Sequence, residues 1–222
     1  MPLVRRHGAV DGPLDYTVVE PADGDDALPL IVALHGRGDN AAGFARLCEE
    51  LDLRARFIVI DAPLATGGGG HAWYEHGSPT LEADLHAQVA TVVKLVDLVA
   101  ARYPKAPRPA VFGFSQGAVV TLQALVDAPG RFAAAAALSG RLVAPPPPDA
   151  APLPEDQRAT AILVTGGAKD HVIPAIASWS AADALARLGY TPKRLAFAGT
   201  HSVPPEVRDA VRALLRQTYP GL

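Results

Sequence analysis

The sequence predicts an α/β fold, a mostly parallel, twisted sheet with helices on both faces. Two observations carry that prediction. Short aliphatic runs with little polar alternation recur along the 222 residues, the pattern of strands buried on both faces. Helical patterns fall between them almost throughout, as right-handed crossovers between parallel strands require. A hydrophobic content of 49% lets a chain of this length bury one substantial core, so residues 1–222 read as a single domain.

Taken in order, the first strand run is "DYTVVE" (15–20), followed by "LPLIVALHG" (28–36), which ends in a His-Gly turn. A helical pattern over 40–51 comes next and carries the lone Cys48, which reads as a small core hydrophobe. "RFIVIDAP" (56–63) is the third run, and the glycine-rich loop 64–78 follows it. Ser78-Pro79 are start signals for a helix over 81–103. Leu81, Leu85, Val89, Val92, Val93, Val96 and Val99 give that helix an apolar stripe. Glu82, Asp84, Lys94, Asp97 and Arg102 interrupt it, so it is an amphipathic helix against the sheet and not a membrane span.

"PAVFGFS" (109–115) runs into a helix over 116–128, and "FAAAAALSG" (132–140) is the next strand. The tract "LVAPPPPDAAPLPEDQ" (142–157) favours an extended, stiff surface connection, with a proline-rich ligand for a partner domain as the alternative. "TAILVTGG" (160–167), a helix over 174–189 closed by Gly189, "KRLAFAG" (193–199) and a helix over 205–219 complete the pattern.

Composition excludes several functions. The formal net charge is −3 and no cluster of Lys and Arg appears, which argues against nucleic acid as a partner. One cysteine rules out an internal disulfide and suits a reducing compartment. The N-terminal "MPLVRRHGAVDGPLDY" has no apolar leader core, and no stretch reaches the ~20 uncharged residues of a membrane helix. A soluble, cytoplasmic protein without stable membrane insertion is expected.

Chemistry points to one corner. Gly113-Phe114-Ser115-Gln116-Gly117 fits G-x-S-x-G, a weak pattern alone that gains weight from its setting between an apolar strand and a helix. A serine held in a strained turn needs neighbours without side chains so that strand and helix can pass closely. The turn lifts the Ser115 hydroxyl above the strand ends and puts helix N-terminal N–H groups beside it.

A serine needs a base and a group to orient the base. On such a sheet ligands bind outside the carboxyl ends of the strands, and the partners follow in the order Ser, acid, His. Asp170, just past the 160–167 strand, is the expected acid. His201, between the last strand and last helix, is the expected base. His171 is the rival, disfavoured because its neighbour Asp170 would point it elsewhere. The oxyanion of an acyl-transfer intermediate needs two donors, expected from the backbone N–H groups of Gln116 and of Arg37 in "HGRGDN". His35, in the same turn, reads as a brace and not a base.

"LHGRGDN", "GFSQGA", "GAKDHVIP" and "GTHSVPPE" together resemble the phospholipase/carboxylesterase family of α/β-hydrolases, from about residue 14 to the C-terminus. The resemblance implies the α/β-hydrolase fold, with Ser115 as nucleophile, Asp170 as acid and His201 as base. It also implies substrate-binding roles for Trp73 and Tyr74, as a pocket wall after the A-P loop, and for Gly36. Arg37 departs from the leucine of many relatives, and the proline-rich tract departs from the thioesterases. Relatives often dimerise, so a homodimer is compatible with the resemblance.

The expected reaction is hydrolysis of small to medium carboxylic esters through an acyl-enzyme. No insertion is long enough for a separate cap domain, which leaves only the 64–78 loop over the site. No metal or organic cofactor is implied. Partners are a small-molecule ester or, alternatively, an acylated protein or lysophospholipid in a thioesterase or lysophospholipase-type reaction. The alternative of another class is a non-catalytic binding protein on a hydrolase fold.

Overall fold

The computed structural model describes residues 3–8 and 11–222. Met1, Pro2, Ala9 and Val10, part of the N-terminal stretch read above for a leader, lie outside the described residues. Ten strands form among the described residues. They are β1 (Leu3–His7), β2 (Tyr16–Pro21), β3 (Leu30–Leu34), β4 (Arg56–Ile60), β5 (Leu64–Gly67), β6 (Gly70–Ala72), β7 (Ala110–Phe114), β8 (Ala134–Leu138), β9 (Ala161–Gly167) and β10 (Lys193–Phe197). Between them lie the helices α1 (Ala41–Glu50), α2 (Leu81–Arg102), α3 (Gln116–Asp127), α4 (Glu155–Arg158), α5 (Ala175–Arg187) and α6 (Pro205–Thr218).

The main sheet runs in the order β1-β2-β4-β3-β7-β8-β9-β10. From β4 to β10 the neighbours pair in parallel, while β2 joins β4, and β1 joins β2, antiparallel. After β3 the chain first steps outward to β4 and then returns to the other side of β3 as β7. That reversal opens a crevice beyond the carboxyl ends of β3 and β7, the place where such sheets bind ligands.

Alternation along the strands feeds two apolar layers. Leu30, Val32 and Leu34 of β3 face one way with residues of α2, α3 and α5, while Ile31 and Ala33 face the other with α1 and α6. The aliphatic runs therefore serve both faces at once. Helix α3 is buried from Gln116 to Leu125, and each fully buried Leu or Val there contributes ~1.5–3 kcal/mol. Cys48 is buried in α1 as a core residue. Gly189 ends α5 with φ of 90°. Its N–H donates to Ala186 O at 2.9 Å, and the Tyr190 N–H donates to Leu185 O at 3.2 Å, which closes a Schellman motif.

Some expectations change. "KRLAFAG" forms β10, but as the outer strand of the sheet it is largely exposed, because only β9 pairs with it. Strand β1 is not legible in the sequence: its adjacent charges, Arg5 and Arg6, are satisfied by Glu49 and Glu20. Ser78 and Thr80 do not cap α2 through its backbone; both hydroxyls donate to Asp84 Oδ2 instead. The proline-rich tract is not wholly extended, since α4 begins within its last residues. Gln123 also pins the tract by hydrogen bonds to both the N–H and the C=O of Ala144.

The glycine-rich 64–78 loop is a small hairpin of β5 and β6, attached to the turn after β3. The Gly38 N–H donates to His71 O at 2.8 Å and the His71 N–H donates to Asp39 O at 2.8 Å. Asn40 Nδ2 adds a bond to Gly69 O at 2.9 Å. No helix among the described residues is long and apolar enough to cross a membrane.

Candidate active site

Ser115 occupies the corner between β7 and α3 with φ of 54° and ψ of −118°, a conformation that costs a non-glycine residue roughly 1–3 kcal/mol. The surroundings hold it there. Its N–H donates to Leu138 O at 3.0 Å and its C=O accepts from the Val119 N–H at 3.0 Å. The flanking glycines are required by contact distance: a Cβ on Gly117 would lie 2.0 Å from Leu34 O, and one on Gly113 would lie 2.3 Å from Gly117 backbone atoms. Strand and helix could not otherwise approach.

His201 Nε2 stands 2.8 Å from Ser115 Oγ, and His201 Nδ1 stands 2.7 Å from Asp170 Oδ2. An ionised carboxylate only accepts, so Nδ1 carries the proton and Nε2 presents its lone pair to the serine hydroxyl. The other oxygen, Asp170 Oδ1, accepts from the N–H groups of Val172 and Ile173, each at 2.9 Å. Burial raises the proton affinity of this carboxyl, but the bonds from His201, Ile173 and Val172 outweigh it and hold Asp170 below the ordinary carboxylate range. The Asp170 side chain has no exposed surface, and that of His201 is 16% exposed. Phe114 packs its ring 4.7 Å from the His201 ring. His171 is exposed and makes no bond to Ser115.

On the other side of Ser115, Gly36 lies close enough that a Cβ there would meet Ser115 Cβ at 3.2 Å. The backbone N–H groups of Arg37 and Gln116 have no partner among the described residues. One of these donors belongs to the residue after Ser115, the other to the residue after Gly36, which packs against Ser115. His35 is fully buried; its Nε2 accepts from the Ala62 N–H at 3.1 Å, so Nδ1 carries hydrogen and donates to Gly36 O at 2.7 Å. Burial pushes this imidazole toward the neutral form. It ties the β3 turn to the segment after β4, and the expectation of a brace holds.

Trp73 and Tyr74 are buried, 0% and 3% exposed. Trp73 Nε1 donates to His35 O at 2.8 Å and its N–H donates to Gln116 Oε1 at 3.0 Å, while Gln116 Nε2 donates to Tyr74 O at 3.1 Å. Satisfying these buried polar groups pulls the indole inward. The pair supports both donor loops from beneath. The Gln116 side chain is unexpected in this role, and its partners lie too far away in sequence for any local signal to reveal them.

Among the described residues no group of three or more His, Cys, Asp or Glu side chains is arranged to hold a metal ion.

Known proteins share this architecture. A family model described as Phospholipase/Carboxylesterase matches residues 14–218. A comparison with curated proteins finds no match. Among solved structures, esterase PE8 is similar with a TM-score of 0.77 at 24% identity, covering 95% of this chain and 99% of its own. A carboxylesterase from Mesorhizobium loti gives 0.78 at 19% identity, covering 96% and 97%. SOBER1 from Arabidopsis thaliana gives 0.70 at 21% identity, covering 86% and 98%. These likenesses establish the α/β-hydrolase fold.

Proposed function

The chain belongs to the phospholipase/carboxylesterase family and is on that ground a hydrolase of the esterase class, and we propose that it cleaves carboxylic esters of small to medium acyl groups through Ser115, His201 and Asp170. The observation that carries this reading is the unbroken contact from Ser115 Oγ through the His201 ring to Asp170, at 2.8 and 2.7 Å. Ser115 Oγ attacks the ester carbonyl while His201 Nε2 takes its proton. Asp170 keeps the ring oriented and stabilises the imidazolium that forms.

The N–H groups of Arg37 and Gln116 receive the developing oxyanion, where each preorganised donor is worth ~3 kcal/mol. His201 then returns its proton to the departing alkoxide, which leaves as the alcohol. Water, deprotonated by the same nitrogen, attacks the acyl-enzyme and releases the carboxylic acid and free Ser115. A cytoplasmic location belongs to the same proposal and is supported by the lone, buried Cys48.

The test is turnover of 4-nitrophenyl esters of increasing acyl length, with a matched thioester series alongside and Ser115→Ala as control. Serine-dependent release of 4-nitrophenol from the shorter esters supports the reading. Equal background release by wild type and Ser115→Ala would overturn it, and faster turnover of the thioesters would reassign the leaving group.

A further inference from the structure

The loops after the two strands that flank β7 each carry an arginine without a partner. Arg37 follows β3 and is exposed; Arg141 follows β8 and is half-buried. Neither makes an ion pair or a side-chain hydrogen bond among the described residues. Several arginines elsewhere are held by carboxylates, as in Arg5 with Glu49, Arg6 and Arg56 with Glu20, and Arg194 with Asp183, while the helix residues Arg46, Arg102, Arg187 and Arg216 share with Arg37 and Arg141 the lack of an ion pair among the described residues. Lys169, beside Asp170 in the loop after β9, is likewise exposed and unpaired.

Position ties both arginines to the nucleophile. Gly36, the neighbour of Arg37, packs against Ser115. Burial pushes the Tyr74 phenol up to about 12, and the Arg141 guanidinium is near enough to oppose that rise. The Tyr74 carbonyl in turn accepts from the side chain of Gln116, next to Ser115. Adjacent strands are ~4.8 Å apart, so the ends of β3 and β8 stand roughly 10 Å apart across β7. An anion lying between them is within reach of both long side chains.

The acids on this edge form no ion pair with either arginine among the described residues. Asp39 and Asp61 accept from the N–H groups of Asn40 and Ala41 at the start of α1, and Asp170 is engaged by His201. Glu75 and, farther along the proline-rich tract, Asp149 are the uncommitted carboxylates of these loops. Arg37, Arg141 and Lys169 thus stand on the loops after β3, β8 and β9, at the same end of the sheet as Ser115.

We infer that the site selects esters bearing a negative charge, a carboxylate or a phosphate, close to the scissile bond, with Arg37 and Arg141 as the groups that hold it. The inference rests on the hydrolase reading above. A guanidinium meets carboxylate or phosphate oxygens with two parallel N–H bonds. In an open, solvated site the preference is moderate and is screened by salt.

The experiment compares kcat/KM for 4-nitrophenyl butyrate, mono-4-nitrophenyl glutarate and 4-nitrophenyl 4-phosphonobutyrate in wild type, Arg37→Gln and Arg141→Gln. At low ionic strength the wild type should favour an anionic ester over the neutral one by roughly tenfold. That ratio should shrink toward one in each variant and at about 0.5 M NaCl. Which anion is preferred identifies the carboxylate or the phosphate as the source. Turnover of the butyrate with a ratio of one or below, or a ratio unchanged in both variants, overturns the inference and leaves the hydrolase reading standing. Failure to turn over all three esters overturns the hydrolase reading itself.

Discussion

The side chain of Gln116 joins the backbone of Trp73 to the corner that bears Ser115: its Oε1 accepts from the Trp73 N–H at 3.0 Å. Since the Gln116 N–H is also a proposed oxyanion donor, one residue both supplies a donor and fixes its direction. Gln116→Ala keeps the N–H but leaves a buried Trp73 N–H without a partner, at a cost of about 1–3 kcal/mol. Thermal unfolding should show a loss of ~2–4 °C for each kcal/mol, with kcat falling more than KM rises. An unchanged Tm would mean that the bond contributes nothing.

Ser115→Ala, His201→Ala and Asp170→Asn should each lower kcat by roughly 10³-fold or more while preserving the fold, because the three groups act as a unit. Combining two of them should cost little beyond the first. Additive losses, measured by steady-state kinetics on one ester, would show that the residues do not cooperate.

Close approach makes Gly117 intolerant of any side chain. Gly117→Ala brings a Cβ to 2.0 Å from Leu34 O and should prevent folding, whereas Gly77→Ala, at φ of 77° with open space around it, should cost only about 1 kcal/mol. Circular dichroism of the purified variants distinguishes the two, and a folded Gly117→Ala would contradict the packing of α3 on β3.

Asp170 has a proton affinity held below the ordinary carboxylate value of ~3.9. A depressed folded-state value contributes stability that is complete above the unfolded pKa and is lost as pH falls through the folded one. Wild type should therefore lose stability relative to Asp170→Asn as pH drops below about 4, in urea titrations at several pH values. Parallel pH dependence in the two proteins would remove Asp170 as a source of acid sensitivity.

Burial pushes the Cys48 thiol well above its usual range, which leaves little thiolate to react. Native protein should resist iodoacetamide, and unfolding in guanidinium should expose one reactive thiol. Rapid alkylation in the native state would place Cys48 at the surface.

Sequence alone locates the β7–α3 corner, Asp170 and His201, because each stands at the end of an aliphatic run whose period and length mark a buried strand. The same logic fails where structure depends on distant partners. Strand β1 has no aliphatic run and exists through pairing with β2 and through Glu20 and Glu49. The family resemblance implies a pocket wall at Trp73, but nothing local in the sequence shows that its two buried N–H groups find acceptors on His35 and Gln116. The hairpin of β5 and β6 is hidden in a run of glycines that carries no strand propensity.

The central claim is that Ser115 is a nucleophile activated by His201. Intact-protein mass spectrometry after treatment with a fluorophosphonate tests it most directly, with the adduct mapped by peptide digestion. The account predicts one adduct, on Ser115, formed rapidly by the folded wild type and far more slowly by His201→Ala. No adduct on folded protein, an adduct on another residue, or equal labelling of His201→Ala would contradict it.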